Sequence, residues 1–229
     1  MRTDNNNILD NRLGAVADLI RQDAVLCDVG TDHAKLPIAL VECGKIRRGY
    51  ATDINKGPIM SAEKNIAEKG LTEHITTILT DGLHNTDGLG ITDVSVCGMG
   101  GELICRILDE CEYLKDENIN LVLQPMTHVE DVRKFMFDNG FTIVDEVLVE
   151  EQGRIYTIIA AHYTSVVLEY DDLDLMIGKI LPIKYKDNEL FCRMCGMLNY
   201  HLENKKKSAD PFLIAKADEN IRALREVLK

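Results

Sequence analysis

Short apolar runs that stop at an acidic residue and a glycine recur along the first part of this 229-residue chain. Run 25–29 ends at Asp28-Val29-Gly30, run 49–54 ends at Asp53, and run 75–79 leads into Asp81-Gly82. Apolar runs this short, bounded by turn residues, are typical of buried parallel strands. In open α/β sheets a ligand sits beyond the carboxyl ends of the strands, so these acids and glycines predict the edge of a binding crevice.

The apolar runs that follow predict the remaining strands of the sheet. Run 94–97 leads into Gly98-Met99-Gly100-Gly101, and run 121–123 ends at Gln124-Pro125. Runs 141–149 and 155–163 have only five residues between them, too few for a helix, so they form a hairpin with one reversed strand. The expected fold class is therefore α/β, with a doubly wound seven-stranded sheet that contains one antiparallel strand.

Residues 165–229 differ in pattern and predict a C-terminal helical hairpin. Leu190, Met194, Met197 and His201 recur at helical spacing, as do Ile214, Ala217, Ile221, Leu224 and Leu228. The two segments are separated at 208–211, where Asp210 fits an N-cap and Pro211 a first helical position. We therefore expect a Rossmann-like domain at 1–164 and a coiled-coil-like helical domain at 165–229.

Charge and composition restrict the setting of the protein. The polar start, 1–11, lacks the apolar stretch of a signal peptide, and no run of about twenty apolar residues predicts a membrane span, so we expect a cytoplasmic protein without membrane association. Seven scattered cysteines fit reduced thiols. The net charge of −12 disfavours nucleic acid, but residues 165–229 carry equal numbers of acidic and basic residues and include Lys205-Lys206-Lys207.

The first strand turn favours a cationic ligand. It lacks the Gly-x-Gly-x-x-Gly pattern of diphosphate sites and carries Asp28 and Asp32 instead. S-adenosylmethionine has a sulfonium and an ammonium group, so it suits this turn better than the cofactor of a nucleotide-dependent oxidoreductase. We expect no metal site, because Cys192, Cys195 and His201 lie in one predicted helix, with no further pair spaced to complete a tetrahedron. Asp32-His33 as a hydrolytic dyad lacks a placed nucleophile.

Six segments then resemble one known family, the bacterial tRNA (adenine-22-N1)-methyltransferases, or TrmK family. They are DVGTDHAKLP at 28–37, ATDINKGP at 51–58, TDGL at 80–83, CGMGGELI at 97–104, LVLQP at 121–125 and GRIYTII at 153–159. The resemblance implies a class I methyltransferase fold, S-adenosyl-L-methionine as cofactor, and methyl transfer to N1 of an adenine in the D-arm region of tRNA.

The resemblance also implies roles for individual residues. Asp28, Gly30 and His33 would line the methionine part of the cofactor, and we assign Thr31, Leu36 and Pro37 of the same segment to cofactor binding. Asp53 and Ile54 would meet its ribose and adenine edge, Asp81, Gly82 and Leu83 its adenine, and Gly98 and Met99 the methyl group. We assign Arg12, Gly98 and Met99 to catalysis, with Arg12 facing the substrate. Lys35 and Met126 depart from the family pattern, which often has Tyr and Asn at these positions.

The expected partner is tRNA, held by Arg193, Lys205, Lys206 and Lys207 of the helical hairpin. The oligomeric state stays open, and a monomer is the expectation we favour. Two alternatives remain at this point. One is a methyltransferase acting on a small molecule, and the other is a protein that retains the cofactor cleft without catalysis, an option that Met126 makes conceivable.

Overall fold

A computed structural model describes residues 9–208 and 210–229 of the chain. Residues 1–8, most of the polar start that lacks a signal-peptide pattern, therefore lie outside the described residues. Ala209, between the two predicted hairpin helices, also lies outside them. The seven strands are β1 (Ala24–Val29), β2 (Ile46–Asp53), β3 (Ile75–Leu79), β4 (Asp93–Gly100), β5 (Asn120–Thr127), β6 (Phe141–Glu151) and β7 (Arg154–Tyr163).

One sheet contains all seven strands, in the order β3-β2-β1-β4-β5-β7-β6. Strands β1 to β5 pair in parallel, whereas β7 is antiparallel to both β5 and β6. The reversed strand follows from the tight connection between β6 and β7, which leaves no room for a crossover helix. This arrangement confirms the expected class I methyltransferase fold with one antiparallel strand.

Helices on both faces of the sheet bury its apolar strands. They are α1 (Asn11–Leu19), α2 (Lys35–Glu42), α3 (Lys56–Glu68), α4 (Gly101–Asp109) and α5 (Val129–Asp138). Val16 at the inner side of α1 and Leu26 of β1 are fully buried in one cluster, and Ile104 of α4 and Leu121 of β5 are fully buried in another. Burial on both sides explains why these strands read as continuous apolar runs.

The spacing of Leu9, Leu13, Val16 and Ile20 predicts the first helix, and the sequence predicts a helix from Glu102 to about Leu114. Several element boundaries differ from the sequence-based expectation. Helix α1 begins at Asn11 because the Asp10 side chain accepts a hydrogen bond from the Leu13 backbone N–H at 2.7 Å, so Leu9 lies outside the helix. Helix α4 ends at Asp109 instead of near Leu114, and a 3-10 turn follows at Glu112–Lys115. Strand β5 continues to Thr127, since its last residues pair with the end of β4.

The C-terminal part contains the expected helical hairpin and two short helices that we did not predict. The short helices are α6 (Asp172–Ile177) and α7 (Leu181–Lys184), and the hairpin consists of α8 (Glu189–Lys205) and α9 (Pro211–Val227). Asp210 caps α9 by accepting a hydrogen bond from the Phe212 N–H, and Pro211 takes the first helical position. The division into domains at 164/165 stays a prediction.

The predicted apolar seam of α8 is correct for two of its four residues and wrong for the other two. The residues that α8 buries are Phe191, Cys195 and Leu202, whereas Met197 is 60% exposed and His201 is also exposed. The cause is that α8 packs against β6 as well as α9: Phe191 and Cys195 share a cluster with Leu148 of β6 and with Leu224 of α9. Of the predicted seam, Leu190 and Met194 are half-buried and pack against this cluster, whereas Met197 and His201 lie outside it.

No helix in the described part of the chain is both long enough and apolar enough to cross a membrane.

Candidate active site

The carboxyl ends of four strands meet at one edge of the sheet. Val29 of β1 pairs with Thr52 of β2 and with Val96 of β4, and Cys97 of β4 pairs with Gln124 of β5. The turns that follow these strands therefore lie side by side. Such an edge is where doubly wound sheets bind their ligands, as the sequence predicts for this chain.

Asp28 organises the turn after β1. Its carboxylate is buried and accepts hydrogen bonds from the Thr31 hydroxyl and the Ser95 hydroxyl, both at 2.7 Å. Burial raises the pKa of Asp28 to about 6, against the opposing effects of these two hydrogen bonds and of the Arg12 charge. Asp28 and Thr31 thus fix the turn by a hydrogen bond, and Asp28 places a buried carboxyl group beneath it.

Two glycines, which have no side chain to cover the main chain, lie at the centre of this edge. Gly30 has φ +71°, and a Cβ there would overlap the terminal methyl group of Met99. Gly98 has φ +79° and is exposed. Because only glycine adopts such angles without strain, both turns can bring main chain close to a ligand. Gly30, Gly98 and Met99 are brought together as the sequence predicts.

The ends of β2 and β3 add carboxylates and one apolar surface. Asp53 Oδ1 accepts a hydrogen bond from the Asn55 N–H at 2.7 Å, and the Ile54 side chain beside it is 61% exposed. Asp81 is bound by the Arg106 guanidinium through bonds of 3.0 and 3.3 Å, and these bonds hold the pKa of Asp81 below its ordinary value. Gly82, next to it, has φ +57°.

Three residues that we assigned to the cofactor lie in the core. Leu36, Pro37 and Leu83 are buried; Leu36 packs under β1 and α1, and Leu83 packs with α4 residues. His33 is exposed in a left-handed conformation, φ +60°, and its Nε2 lies 3.1 Å from Asp32 Oδ1. His33 is thus open to a ligand, whereas the three apolar residues shape the loops from behind.

A hydrogen-bonded junction that the sequence reading missed joins α1, β4 and β5. The fully buried Gln124 side chain accepts from Arg12 Nη1 at 2.7 Å and from the Gly98 N–H at 3.1 Å. Its amide nitrogen donates to the Pro125 carbonyl at 2.9 Å. The signal was present in the sequence, because a polar amide at the end of an otherwise apolar strand must find partners when buried. Gln124 fixes Arg12 against the glycine turn.

The four residues that we assigned to RNA differ in their surroundings. Arg193 makes two hydrogen bonds to the Glu150 carboxylate, at 2.7 and 2.8 Å, and Lys206 Nζ lies 2.7 Å from Asp218 Oδ1. Lys207 donates to the Asn204 side chain at 2.7 Å, and Lys205 is exposed at the end of α8. Two of these cations are thus partly neutralised by carboxylates.

Cys192, Cys195 and His201 do not form a metal site in the described part of the chain. Within 9–208 and 210–229 no group of three or more His, Cys, Asp or Glu side chains is placed to hold a metal ion. Cys192 is exposed and Cys195 is buried in the interface of α8 with β6.

Comparison with known proteins agrees with this geometry. A methyltransferase domain model matches residues 9–159. The tRNA (adenine(22)-N(1))-methyltransferase of Bacillus subtilis is 32% identical over 173 residues, 76% of this chain and 73% of that protein.

Two solved structures extend the likeness to nearly the whole chain. Streptococcus pneumoniae Sp1610, in complex with S-adenosyl-L-methionine, has a TM-score of 0.85 and 34% identity over 96% of this chain and 100% of its own. M. capricolum TrmK, in complex with S-adenosyl-homocysteine, has a TM-score of 0.84 and 28% identity over 97% and 100%. The resemblance found in the sequence is therefore confirmed, and the chain belongs to the tRNA (adenine-22-N1)-methyltransferase family, TrmK.

Proposed function

We propose that this protein transfers a methyl group from S-adenosyl-L-methionine to N1 of adenine 22 in bacterial tRNA. The observation that carries the proposal is the junction at the carboxyl edge, where Gln124 holds Arg12 beside the Gly98 turn and Met99 lies over Gly30. The name of the Bacillus subtilis relative supports the substrate, and the ligands of the two solved relatives support the cofactor.

The residues at this edge fit the methyl donor. The exposed backbone of Gly98 leaves room for it, the Met99 side chain covers Gly30, and the buried negative charge of Asp28 complements its cationic groups. In this proposal Asp53, at the end of β2, accepts hydrogen bonds from the ribose diol, and the exposed Ile54 offers an apolar surface to the adenine ring. When bound, S-adenosyl-L-methionine supplies an activated methyl group on a sulfonium, so the reaction needs no metal or covalent intermediate.

The chain contributes mainly alignment. The N1 lone pair of adenine lies in the ring plane and attacks the methyl carbon in line with the departing sulfur, a geometry that positioning residues can make far more frequent. Arg12 is half-buried, with a guanidinium fixed by Gln124 at 2.7 Å, so it presents a rigid donor to the substrate. Because N1 lies on the pairing edge of adenine, the target base must be unpaired, at about a few kcal/mol that other tRNA contacts offset.

Those other contacts belong, in this proposal, to the helical hairpin. Lys205 and Lys207 have no carboxylate partner within the described ranges, whereas a phosphate reaching Arg193 or Lys206 competes with Glu150 or Asp218. Affinity for tRNA then falls with salt, with a slope of about 0.7–0.9 per neutralised phosphate. Removal of residues 165–229 is expected to weaken binding, and equal tRNA binding without them would contradict this role.

The test uses two transcripts of one tRNA that differ only in adenine or guanine at position 22. The protein is incubated with each transcript and radiolabelled S-adenosyl-L-methionine, and the digested RNA is analysed for 1-methyladenosine. We expect label only in the adenine transcript. Label on small metabolites alone, or donor binding without turnover on any RNA, would contradict the proposal and favour one of the two alternatives kept above.

An arginine pair tests the role of Arg12. Arg12→Ala is expected to lower kcat/KM by about 10- to 100-fold, the effect of losing one charged hydrogen bond at the reacting site. Arg47→Ala is the matched control: Arg12 Nη2 lies 3.6 Å from Asp10 Oδ2, and Arg47 is likewise in an ion pair, with Asp23 at 3.1 Å, but lies near the start of β2, away from the carboxyl edge. Equal activities of the two variants would remove Arg12 from the site.

A further inference from the structure

A cavity of about 760 Å³ lies beside the candidate active site, between α8, β7 and the carboxyl end of β5. Pro125, Met126 and Thr127 form one wall, Ile155 and Tyr156 of β7 form the next, and α8 closes the third. The α8 wall contains Met194, Met197 and His201, the stripe that the sequence reading assigned to packing between α8 and α9. The size falls within the range of sites for small ligands and nucleosides.

The lining combines apolar surface with aromatic side chains that reach solvent. Met126 is 38% exposed, Met197 is 60% exposed and Tyr200 is 71% exposed, an unusual concentration of large apolar side chains around one opening. Tyr156 and His201 add two more flat rings. Unstacked bases of RNA are held in this way, by stacking on aromatic side chains while their polar edges remain available for hydrogen bonds.

The charge at the rim is also suited to RNA. Arg193 lines the cavity and makes two hydrogen bonds to Glu150, which lower the pKa of that carboxyl group and keep it paired. The pair has no net charge, so the carboxylate does not repel a phosphate that approaches the opening. An unpaired acid at the same place would oppose RNA.

One side chain separates this cavity from the place of methyl transfer. Gln124 accepts hydrogen bonds from Arg12 and from Gly98 on one side, and on the other side its Nε2 lies 3.6 Å from Met126 Sδ, in the cavity wall. Gly98 and Met99 themselves do not line the cavity. A base inside it therefore stands next to the reacting adenine and does not coincide with it.

We propose that this cavity binds the nucleobase adjacent to the methylated adenine, so that two neighbouring nucleotides are unstacked together. The inference rests on the proposed function for its RNA substrate. The apolar walls take the faces of the base, and Met126, which is 38% exposed, contributes surface to the second base. The chain thus recognises a dinucleotide step.

Gly196 allows the cavity to be filled without disturbing the helix. It lies in the α8 wall, and a Cβ added there meets no atom within 4 Å. Gly196→Phe therefore places a ring in the cavity, and Gly196→Ala is the matched control with the same backbone change. Both substitutions favour the helix, because glycine is a poor helix former.

The experiment measures tRNA dissociation constants in the presence of S-adenosyl-homocysteine, so that it does not depend on methyl transfer. The RNAs are intact tRNA and tRNAs that lack a base at position 21, 22 or 23. We expect Gly196→Phe to weaken binding of intact tRNA by about 5- to 150-fold, the range for loss of one stacked base, and Gly196→Ala to stay within about twofold. Removing the base at one neighbouring position, 21 or 23, should weaken tRNA binding by the wild-type protein by a similar factor. The same removal should weaken tRNA binding by Gly196→Phe by no more than about twofold, because the ring already excludes that base.

Other outcomes overturn the inference. Unchanged tRNA binding by Gly196→Phe would show that no neighbouring base occupies the cavity. The same conclusion would follow if the effect of this variant and the effect of the abasic site multiplied at both position 21 and position 23. An abasic penalty that is present in the wild type and disappears in Gly196→Phe at position 22 alone would show that the cavity holds the target adenine itself. If the wild-type protein binds tRNA but does not methylate adenine 22, only the proposed function is contradicted. If it methylates adenine 22 but the effects of Gly196→Phe and of each neighbouring abasic site on the dissociation constant multiply, only this inference is contradicted.

A second pair of variants guards against a folding defect. Tyr200→Ala removes a cavity ring that is 71% exposed, and Phe212→Ala removes an equally exposed ring on α9 that does not line the cavity. We expect Tyr200→Ala alone to weaken binding of intact tRNA, with unchanged affinity for S-adenosyl-homocysteine in both. Equal effects of the two substitutions would also overturn the inference.

Discussion

A buried ion pair between Arg133 of α5 and Glu146 of β6 leads to a large stability prediction. Both side chains are fully buried, and Arg133 Nε donates to Glu146 Oε1 at 2.8 Å. Arg133 Nη1 also donates to the carbonyls of Leu175 and Met176 at 2.8 and 2.9 Å, which ties α6 to the sheet. We expect Glu146→Ala to lower the free energy of unfolding by about 3–5 kcal/mol.

The magnitude follows from the charge that the substitution leaves behind. Without Glu146, the Arg133 guanidinium remains buried with two carbonyl partners and no counter-charge, and its Nη2 already lacks a hydrogen-bond partner. Removal of one member of such a pair costs about 3–5 kcal/mol, a large share of the roughly 5–15 kcal/mol that stabilises a typical domain. Replacing both charges with apolar side chains should recover most of the loss.

Urea unfolding followed by far-ultraviolet circular dichroism measures the effect, since the chain has no tryptophan. Glu68→Ala is the control: Glu68 pairs with Lys64 at 3.7 Å on the exposed side of α3, where such pairs contribute about 0.3–0.5 kcal/mol. The double variant Arg133→Met/Glu146→Leu tests the recovery. A loss below about 1 kcal/mol for Glu146→Ala, similar to that of Glu68→Ala, would refute the reasoning.

Three further predictions concern the carboxyl edge and the hairpin. Burial raises the pKa of Asp28 in the folded chain to about 6, so the fold loses stability as the pH rises through that value and the carboxyl group ionises. Asp28→Asn does not ionise, so its free energy of unfolding relative to wild type, measured by calorimetry, should increase by about 2 kcal/mol from pH 4 to pH 8. Gln124→Ala should lower kcat for tRNA methylation by about 10- to 100-fold while the KM for the methyl donor changes little, because Arg12 and Gly98 lose their shared acceptor. Lys205→Ala should reduce the salt slope of tRNA binding by about 1, and Lys206→Ala by less, since Lys206 pairs with Asp218.

Each of these has a result that contradicts it. A pH-independent stability difference for Asp28→Asn would mean that the carboxyl group titrates alike in the folded and unfolded chains. A Gln124→Ala enzyme with normal kcat would show that Arg12 and the glycine turn keep their positions unaided. Equal salt slopes for the two lysine variants would mean that Asp218 does not compete with phosphate.

Local sequence signals were sufficient for most of the sheet. The apolar runs ending at Asp28, Asp53 and Asp81 are set by short-range chemistry, so their strands and turns could be predicted from spacing alone. The five residues between runs 141–149 and 155–163, too few for a helix, predicted the reversed strand in the same way. The hairpin helix α9 was also predictable, because Asp210 and Pro211 are local start signals.

Features that depend on distant contacts were not predictable. The register of α8 is decided by Leu148 of β6, far away in sequence, and heptad spacing cannot show which of two apolar stripes is buried. The junction at Gln124 joins helix α1 to β4 and β5, and its partners Arg12 and Gly98 are revealed only by the folded sheet. Burial of Leu36 and Leu83 behind the loops likewise depends on packing.

The cavity between α8 and β7 shares no described lining residue with the turns after β1, β2 and β3. A compound that occupied it would leave those turns open and would displace RNA rather than the methyl donor. Its inhibition would therefore persist at high donor concentrations, and its selectivity would depend on methionine and tyrosine side chains of one helix instead of on a nucleoside pocket common to many enzymes.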